Sequence, residues 1–266
     1  MHRPPLDAEQ LRRSLIESPE LSFFSRIDVL ESTGSTNADL IARAGESDAD
    51  RSVLLAEAQE HGRGRHARTW VSPPRAQISM SVLVRLPGIG PSSLGWLPLL
   101  TGVAVVDALR SAAGVAATLK WPNDVLIDGS KVAGILAEVV ASGSVPVVVI
   151  GIGLNVSLTE AELPVPHATS LTLAGAADTD RTLLVRSLLT EFARRFTAWR
   201  EADWATTDLI AAYRERCATL GAQVRAELPG GQTLTGIATD IDPTGRLLIG
   251  DQAVSAGDVT HLRADV

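Results

Sequence analysis

The sequence predicts an α/β fold of the α+β kind, a mixed-sheet body followed by a compact β tail. Three observations lead there. Strand-like and helix-like runs alternate without a fixed period from residue 26 to residue 217. Two long stretches, 92–112 and 181–215, have helical composition and period. From residue 218 short strand-like runs crowd between turn residues. The expected organisation is a short helical segment at 1–25, a body at 26–217 and a tail at 218–266.

Taken in order, residues 6–18 read as an amphipathic helix with Leu6, Leu11, Leu15 and Ile16 as its apolar positions. Residues 26–31 read as a strand, 32–37 as a small-polar turn and 38–44 as a helix. That order gathers free backbone N–H groups at the helix start. Strands return at 52–58 and 77–86; in the second, Ile78, Met80, Val82 and Val84 alternate with Ser79, Ser81 and Leu83. A long, mostly buried helix at 92–112 precedes strands at 117–121, 124–128, 132–140 and 145–150. Asp128-Gly129-Ser130 and Ala141-Ser142-Gly143-Ser144 are the expected hairpin turns. The 181–215 helix turns Trp199 and Trp204 inward. Pro229-Gly230-Gly231, Asp242-Pro243-Thr244-Gly245 and Ala256-Gly257-Asp258 punctuate the tail, whose strand spacing resembles an SH3-like barrel.

The composition bounds the function. At 266 residues, 45% hydrophobic and 21% charged, the chain can bury one large core and is not disordered. A net charge of −7 argues against nucleic-acid binding through the general surface. Cys217 is the only cysteine, which excludes an internal disulfide and a thiolate metal cluster; with no paired histidine motif it reads as a buried spectator. Residues 1–5 hold no apolar leader, and no apolar stretch is expected to reach the ~20 residues that span a bilayer. The expectation is a cytoplasmic protein without a membrane partner.

Four clusters carry chemistry. Ser35-Thr36-Asn37, at a strand-to-helix loop, can cap the helix or hold a small polar ring. The segment from Gly62 to Trp70 sets three arginines, Arg63, Arg65 and Arg68, beside two glycines. Such a loop is either solvated or ordered around an anionic, nucleotide-derived ligand, for which guanidinium forks are suited. Lys120-Trp121-Pro122-Asn123-Asp124 can be a simple turn. It is followed by Lys131 opening an apolar strand, where a lysine is costly unless it meets an anion, and by Gly134, where a group can approach the backbone. Gly151-Ile152-Gly153-Leu154-Asn155 lacks the third glycine and following helix of a dinucleotide fingerprint. It reads as a tight strand end with Asn155 available to a purine edge.

In this order the clusters resemble the biotin protein ligases, through Gly34-Ser35-Thr36-Asn37, Gln59 with Gly62-Arg63-Gly64-Arg65, Arg68-x-Trp70, Lys120-Trp121-Pro122-Asn123-Asp124, Lys131-x-Ala133-Gly134-Ile135-Leu136 and Gly153-x-Asn155. The resemblance spans about residues 26–266. It implies a core similar to class II aminoacyl-tRNA synthetases and biotin ligases, and an enzyme that joins biotin and ATP into biotinyl-5′-AMP. A lysine on a biotin carboxyl carrier domain of a carboxylase would then take the biotin. By position, Ser35, Thr36, Asn37 and Gln59 would hold the biotin rings, with Gly134 beside them. Arg63, Gly64 and Arg65 would cover the carboxyl and phosphate. Lys131, with Arg63, would stabilise developing charge. Arg65, Arg68, Trp70, Asn123, Lys131 and Asn155 would hold the nucleotide, Trp70 by stacking. Asp124 would bind the Mg²⁺ of ATP or take the acceptor lysine's proton.

One departure stands out: Ala67 occupies the position where the family carries glycine, a substitution costing roughly 1–2 kcal/mol if that backbone is left-handed. Lipoate ligation on the same fold is the alternative activity, disfavoured by the Gly-Arg-Gly-Arg order. A DNA-binding repressor role is disfavoured by the short run before the first strand. A non-catalytic adenylate binder is disfavoured by Lys131.

Overall fold

The computed structural model describes residues 2–18, 22–70, 73–141, 144–228, 231–255 and 257–262. Parts of three expected turns, at 142–143, 229–230 and 256, lie outside them. The body is one seven-stranded sheet built from β1 (Arg26–Leu30), β2 (Ser52–Ala56), β3 (Gln77–Arg85), β4 (Ala117–Lys120), β5 (Asp124–Ile127), β6 (Ser130–Ala141) and β7 (Val147–Asn155). Its order is β1-β2-β3-β7-β6-β5-β4. Of these strands β1 and β2 run parallel, joined through helix α2 (Thr36–Ala42); the other neighbours pair antiparallel, so the sheet is mixed as expected.

The two faces differ. Helices α1 (Ala8–Leu15), α3 (Trp96–Ala108, continued as a wider turn over Leu109–Ala113), α4 (Arg181–Glu201) and α5 (Thr207–Arg216) supply the large core. On the sheet side that core takes Ile78, Met80, Val82 and Val84 of β3. The opposite face carries α2 and a small cluster around Leu40, Leu54, Leu83 and Val149. On β3, therefore, Ser79 and Ser81 alternate to the α2 side, away from the main core. Caps begin the helices: Asp7 accepts from the Gln10 amide at 2.8 Å, and Asp180 from those of Thr182 and Leu183.

Three expectations are corrected. The 181–215 helix is two helices, because Asp203 and Trp204 take left-handed φ of 52° and 61°; Trp204 N–H closes the end onto Trp199 O at 3.0 Å. Both tryptophans are nonetheless buried and meet edge to face. The strand expected at 145–150 runs on to Asn155, so Gly151 and Gly153 lie inside it, not at its end. By length and composition Pro91–Ala113 is apolar enough to cross a bilayer, contrary to the sequence reading. It lies instead against α4 and the sheet as a buried core helix.

The tail is a second, five-stranded antiparallel sheet of β8 (Gln223–Glu227), β9 (Thr233–Ile241), β10 (Leu247–Ile249), β11 (Gln252–Val254) and β12 (Asp258–His261), ordered β11-β10-β9-β8-β12. Two indoles fasten it to the body: Trp96 Nε1 donates to Pro243 O at 2.8 Å and Trp121 Nε1 to Gly245 O at 3.0 Å. His261 on β12 lies 2.9 Å from Thr219 Oγ1, which also accepts the Trp121 amide. Burial, aided by Lys120, pushes the His261 imidazole below its ordinary value. The folded state thus favours neutral His261. Its contribution is complete above the ordinary histidine pKa of about 6.5 and is lost as pH falls through it toward the lowered value. Thermal unfolding between about pH 7.5 and 5.5 should show a falling midpoint, and the slope should flatten in His261→Gln; an unchanged slope would discount this residue.

Candidate active site

Register across three strands builds the floor of a groove on the α2 face. Ser79 pairs with Gly153, which pairs with Gly134; Ser81 pairs with Gly151, which pairs with Leu136. Small residues on adjacent strands leave room above the backbone, and that room is filled by two side chains. A Cβ placed on Gly151 would fall 2.3 Å from Asn37 Oδ1, and one on Gly153 2.4 Å from the Trp70 ring. Gly134 lies under the same indole and the end of Lys131. The close approach expected at Gly134 is thus real.

The roof is the start of α2. Ser35 is its N-cap, and Thr36 and Asn37 follow, all buried. Gln59 Oε1 accepts from Thr36 N at 2.9 Å and Thr36 Oγ1 at 3.1 Å. Ser81 Oγ lies 2.7 Å from Thr36 Oγ1 and 2.5 Å from Asn37 Oδ1. Asn37 Nδ2 donates to Glu138 Oε2 at 2.7 Å and to Leu136 O at 3.3 Å. The four residues expected to hold a polar ring thus gather at one helix start. Thr36, Asn37 and Gln59 share a network there, with Asn37 locked by the protein on both ends of its amide.

The arginine-glycine segment, expected to order around a ligand, is a closed hairpin. Arg63 bridges Thr69, Gly64 N donates to Arg68 O at 2.7 Å, and Trp70 N to Gly62 O at 2.8 Å. Gly62 is required there, since a Cβ would meet Trp70 O at 2.4 Å. The left-handed residue of the turn is His66, at φ 54°, one place before Ala67. The alanine's departure from the family pattern thus falls outside the left-handed position.

Each cation is docked on another element. Arg63 meets Glu138 of β6 at 3.1 Å, and Arg65 donates to Asn123 Oδ1 at 2.9 Å and Gly257 O at 3.4 Å. Arg68 pairs with Asp258 of β12. Lys131 pairs with Asp124 at 2.6 Å and lies 5.5 Å from the Trp70 ring centre. Burial lowers the Arg65 guanidinium from its ordinary value against the pull of Asp258 and Asp124; it stays cationic. Asn123 also donates to Ile135 O at 3.1 Å, which fixes the acceptor it offers Arg65.

At the far end, Trp70 Nε1 donates to Gln77 Oε1 at 3.1 Å and Gln77 Nε2 to Asn155 Oδ1 at 2.9 Å; Asn155 Nδ2 donates to Thr169 O at 2.8 Å. Asn155, expected to be available to a ligand, instead has both ends of its amide engaged and acts on Trp70 through Gln77. Sequence reasoning missed Ser81, Gln77, Glu138 and Asp258, and read Gly151 only as part of a strand end. A glutamate in the apolar run of β6 was the one local signal. Among the described residues no cluster of three or more His, Cys, Asp or Glu is arranged for a metal ion, so Asp124 has no such cluster around it. Burial raises the Cys217 thiol pKa and leaves it a spectator.

A cleft of about 550 Å³ separates β6 from the tail, lined by Arg65, Asn123, Leu136, Trp121, Thr244 and Arg246. It reaches the same arginine and asparagine that border the groove.

The comparisons converge. Residues 29–155 match the Biotin/lipoate A/B protein ligase family and residues 219–262 the Biotin protein ligase C terminal domain. The biotin--[acetyl-CoA-carboxylase] ligase of Mycobacterium tuberculosis is 48% identical over 98% of this chain and 97% of its own. The bifunctional ligase/repressor of Escherichia coli is 31% identical over 84% of this chain and 68% of its own. The biotin protein ligase of Aquifex aeolicus, solved with biotin and ATP, superposes with a TM-score of 0.73 at 26% identity, covering 91% of this chain and 100% of that one.

Proposed function

The chain belongs to the biotin protein ligase family, and on that premise we propose the roles its residues play in joining biotin to a carrier protein. The enzyme is an ATP-dependent ligase. The carboxylate of biotin attacks the α-phosphorus of ATP, pyrophosphate leaves, and biotinyl-5′-AMP forms. A lysine amine of the acceptor then attacks the acyl carbon, AMP leaves with the bonding electrons, and the amine loses a proton as the amide forms.

The observation that carries the assignment of roles is the glycine-floored groove with four cations docked around it. Two anions must meet there, and fixed positive charge offsets their repulsion. The rings of biotin lie between Ser35, Thr36, Gln59 and the Ser81–Gly151 floor, with Asn37 a fixed wall. Arg63, Gly64 and Arg65 cover the carboxyl and α-phosphate. Lys131 stands over Gly134, where charge develops in both steps. Trp70 offers adenine a stacking face, held by Gln77 and Asn155, while Arg68 and Asn123 border the phosphates. ATP would enter as its Mg²⁺ complex, and Asp124 would be the carboxylate available to that ion or to the acceptor lysine's proton.

The acceptor is the biotin carrier domain of a carboxylase, its lysine entering by the cleft beside the tail. The reaction belongs in the cytoplasm, where ATP is supplied; no DNA or membrane enters it. The test is ATP-dependent biotinylation of a purified carrier domain, followed as a mass gain on its lysine, with lipoate as competitor. Transfer of lipoate in preference to biotin would overturn the substrate assignment.

A further inference from the structure

The cation hairpin hangs from two stems. Glu57 leaves β2 and opens the segment; Gln77 starts β3 and closes it. Arg181 grips both, its Nη1 donating to Glu57 Oε2 at 2.6 Å and to Gln77 O at 3.3 Å. Arg75 N donates to Glu57 O at 2.7 Å and draws the stems together. Residues 3–6 cross over this grip as an extended strap: Arg181 Nη2 donates to Pro4 O at 2.5 Å, and Leu6 N to Glu57 Oε1 at 2.6 Å. Arg3 fastens the strap, meeting Glu162 at 2.6 Å and Ser157 O at 2.8 Å.

Ordinary structural reasons do not account for the charges. Glu57 is 4% exposed and Arg181 6% exposed. Buried ion pairs give little net stability compared with apolar residues of similar size, and their use is to fix geometry. Arg181 is also the first residue of α4, where a cation opposes the helix dipole. What the pair does fix is the spacing of the stems, and Gln77 hands that spacing on to Trp70.

We propose that residues 3–6, with Glu57 and Arg181, form a positioning clamp that holds the hairpin of residues 62–70 in its ligand-closing arrangement. This rests on the ligase reading given above. These residues stand away from the groove and act through Gln77 and Trp70. The Arg3 guanidinium holds the pKa of the Glu162 carboxyl down at about 2, so the strap's fastening stays charged at working pH.

The test uses the intact chain carrying Arg3→Ala or Arg181→Lys, assayed well below the unfolding midpoint of each. Lysine keeps Glu57 neutralised, but one ammonium cannot span Glu57, Gln77 O and Pro4 O together. Arg3 lies on the partly exposed arm, so its removal leaves the buried pair and the fold in place. If the clamp sets the closed fraction of the hairpin, KM for ATP and the dissociation rate of biotinyl-5′-AMP rise about tenfold while kcat at saturation holds. Trypsin cuts faster at the hairpin arginines of the adenylate-bound variants. A lower unfolding midpoint with unchanged KM, dissociation rate and cleavage would overturn the clamp and leave a structural rivet. Failure of the unmodified enzyme to form the adenylate would instead strike the ligase reading itself.

Discussion

Lys131→Ala is expected to slow pyrophosphate release by roughly 10²–10³-fold, the loss found when one preorganised donor to developing charge is removed. Lys131 is the ammonium seated over the bare backbone of Gly134, its Nζ and Cε 3.2 Å from where a Cβ would lie. Its salt bridge to Asp124 complicates a single substitution, because alanine leaves a half-buried carboxylate without its partner. The double variant Lys131→Ala with Asp124→Ala removes that penalty. Its thermal stability should recover toward the parent while pyrophosphate release stays low. Transfer from added biotinyl-5′-AMP should fall as well, since the proposed role sets the same ammonium against the acyl oxygen in the second step. Turnover within a few-fold of the parent in either variant would show that Lys131 is not the charge-stabilising group.

What the sequence made legible was local. The order of strands and helices followed from periodicity. The cap at Ser35, the left-handed Asp128-Gly129 turn at φ 49° and 77°, and the inward tryptophans followed from residue type. The cation-bearing motifs were legible because arginine and lysine are conspicuous among glycines and in apolar strands. The floor was not. Ser79 and Ser81 visibly alternated with core residues, but their meaning depends on pairing with the distant Gly153 and Gly151. Glycine weakens a strand, so Gly151-x-Gly153 suggested an end; only Asn37 and Trp70 resting on those glycines explain why the strand continues. Arg68 and Asp258 stand 190 positions apart, and Glu57 and Arg181 124 apart, separations no local pattern reports. The break after α4 was hidden for another reason: its left-handed residues are Asp203 and Trp204, with no glycine to mark them.

Those two floor glycines give the second large effect, and they should separate the two substrates. At Gly151 a methyl group would sit 2.3 Å from Asn37 Oδ1 and 2.9 Å from its Cγ. Asn37 cannot swing aside freely, being 4% exposed and bonded to Ser81, Glu138 and Leu136 O. Overpacking together with disturbed buried hydrogen bonds costs about 2–3 kcal/mol of stability unless Asn37 is displaced; ring contacts of about that size, lost with the displaced Asn37, amount to roughly 30–150-fold in affinity. With Asn37 as the wall of the proposed ring pocket, Gly151→Ala should raise the Kd for biotin by that factor and leave KM for ATP near the parent's. At Gly153 the methyl group would meet Trp70 Cε2 at 2.4 Å and Nε1 at 2.6 Å, lifting the indole from the sheet. Gly153→Ala should therefore raise KM for ATP with less effect on biotin. Gly45→Ala, with nothing within 4 Å of its Cβ, serves as the neutral control. Titration calorimetry with biotin and steady-state kinetics in ATP measure both. If the two floor variants weakened biotin and ATP equally, or if Gly151→Ala left biotin affinity within about twofold of the parent's, the division of the groove into a ring pocket and an adenine platform would fail.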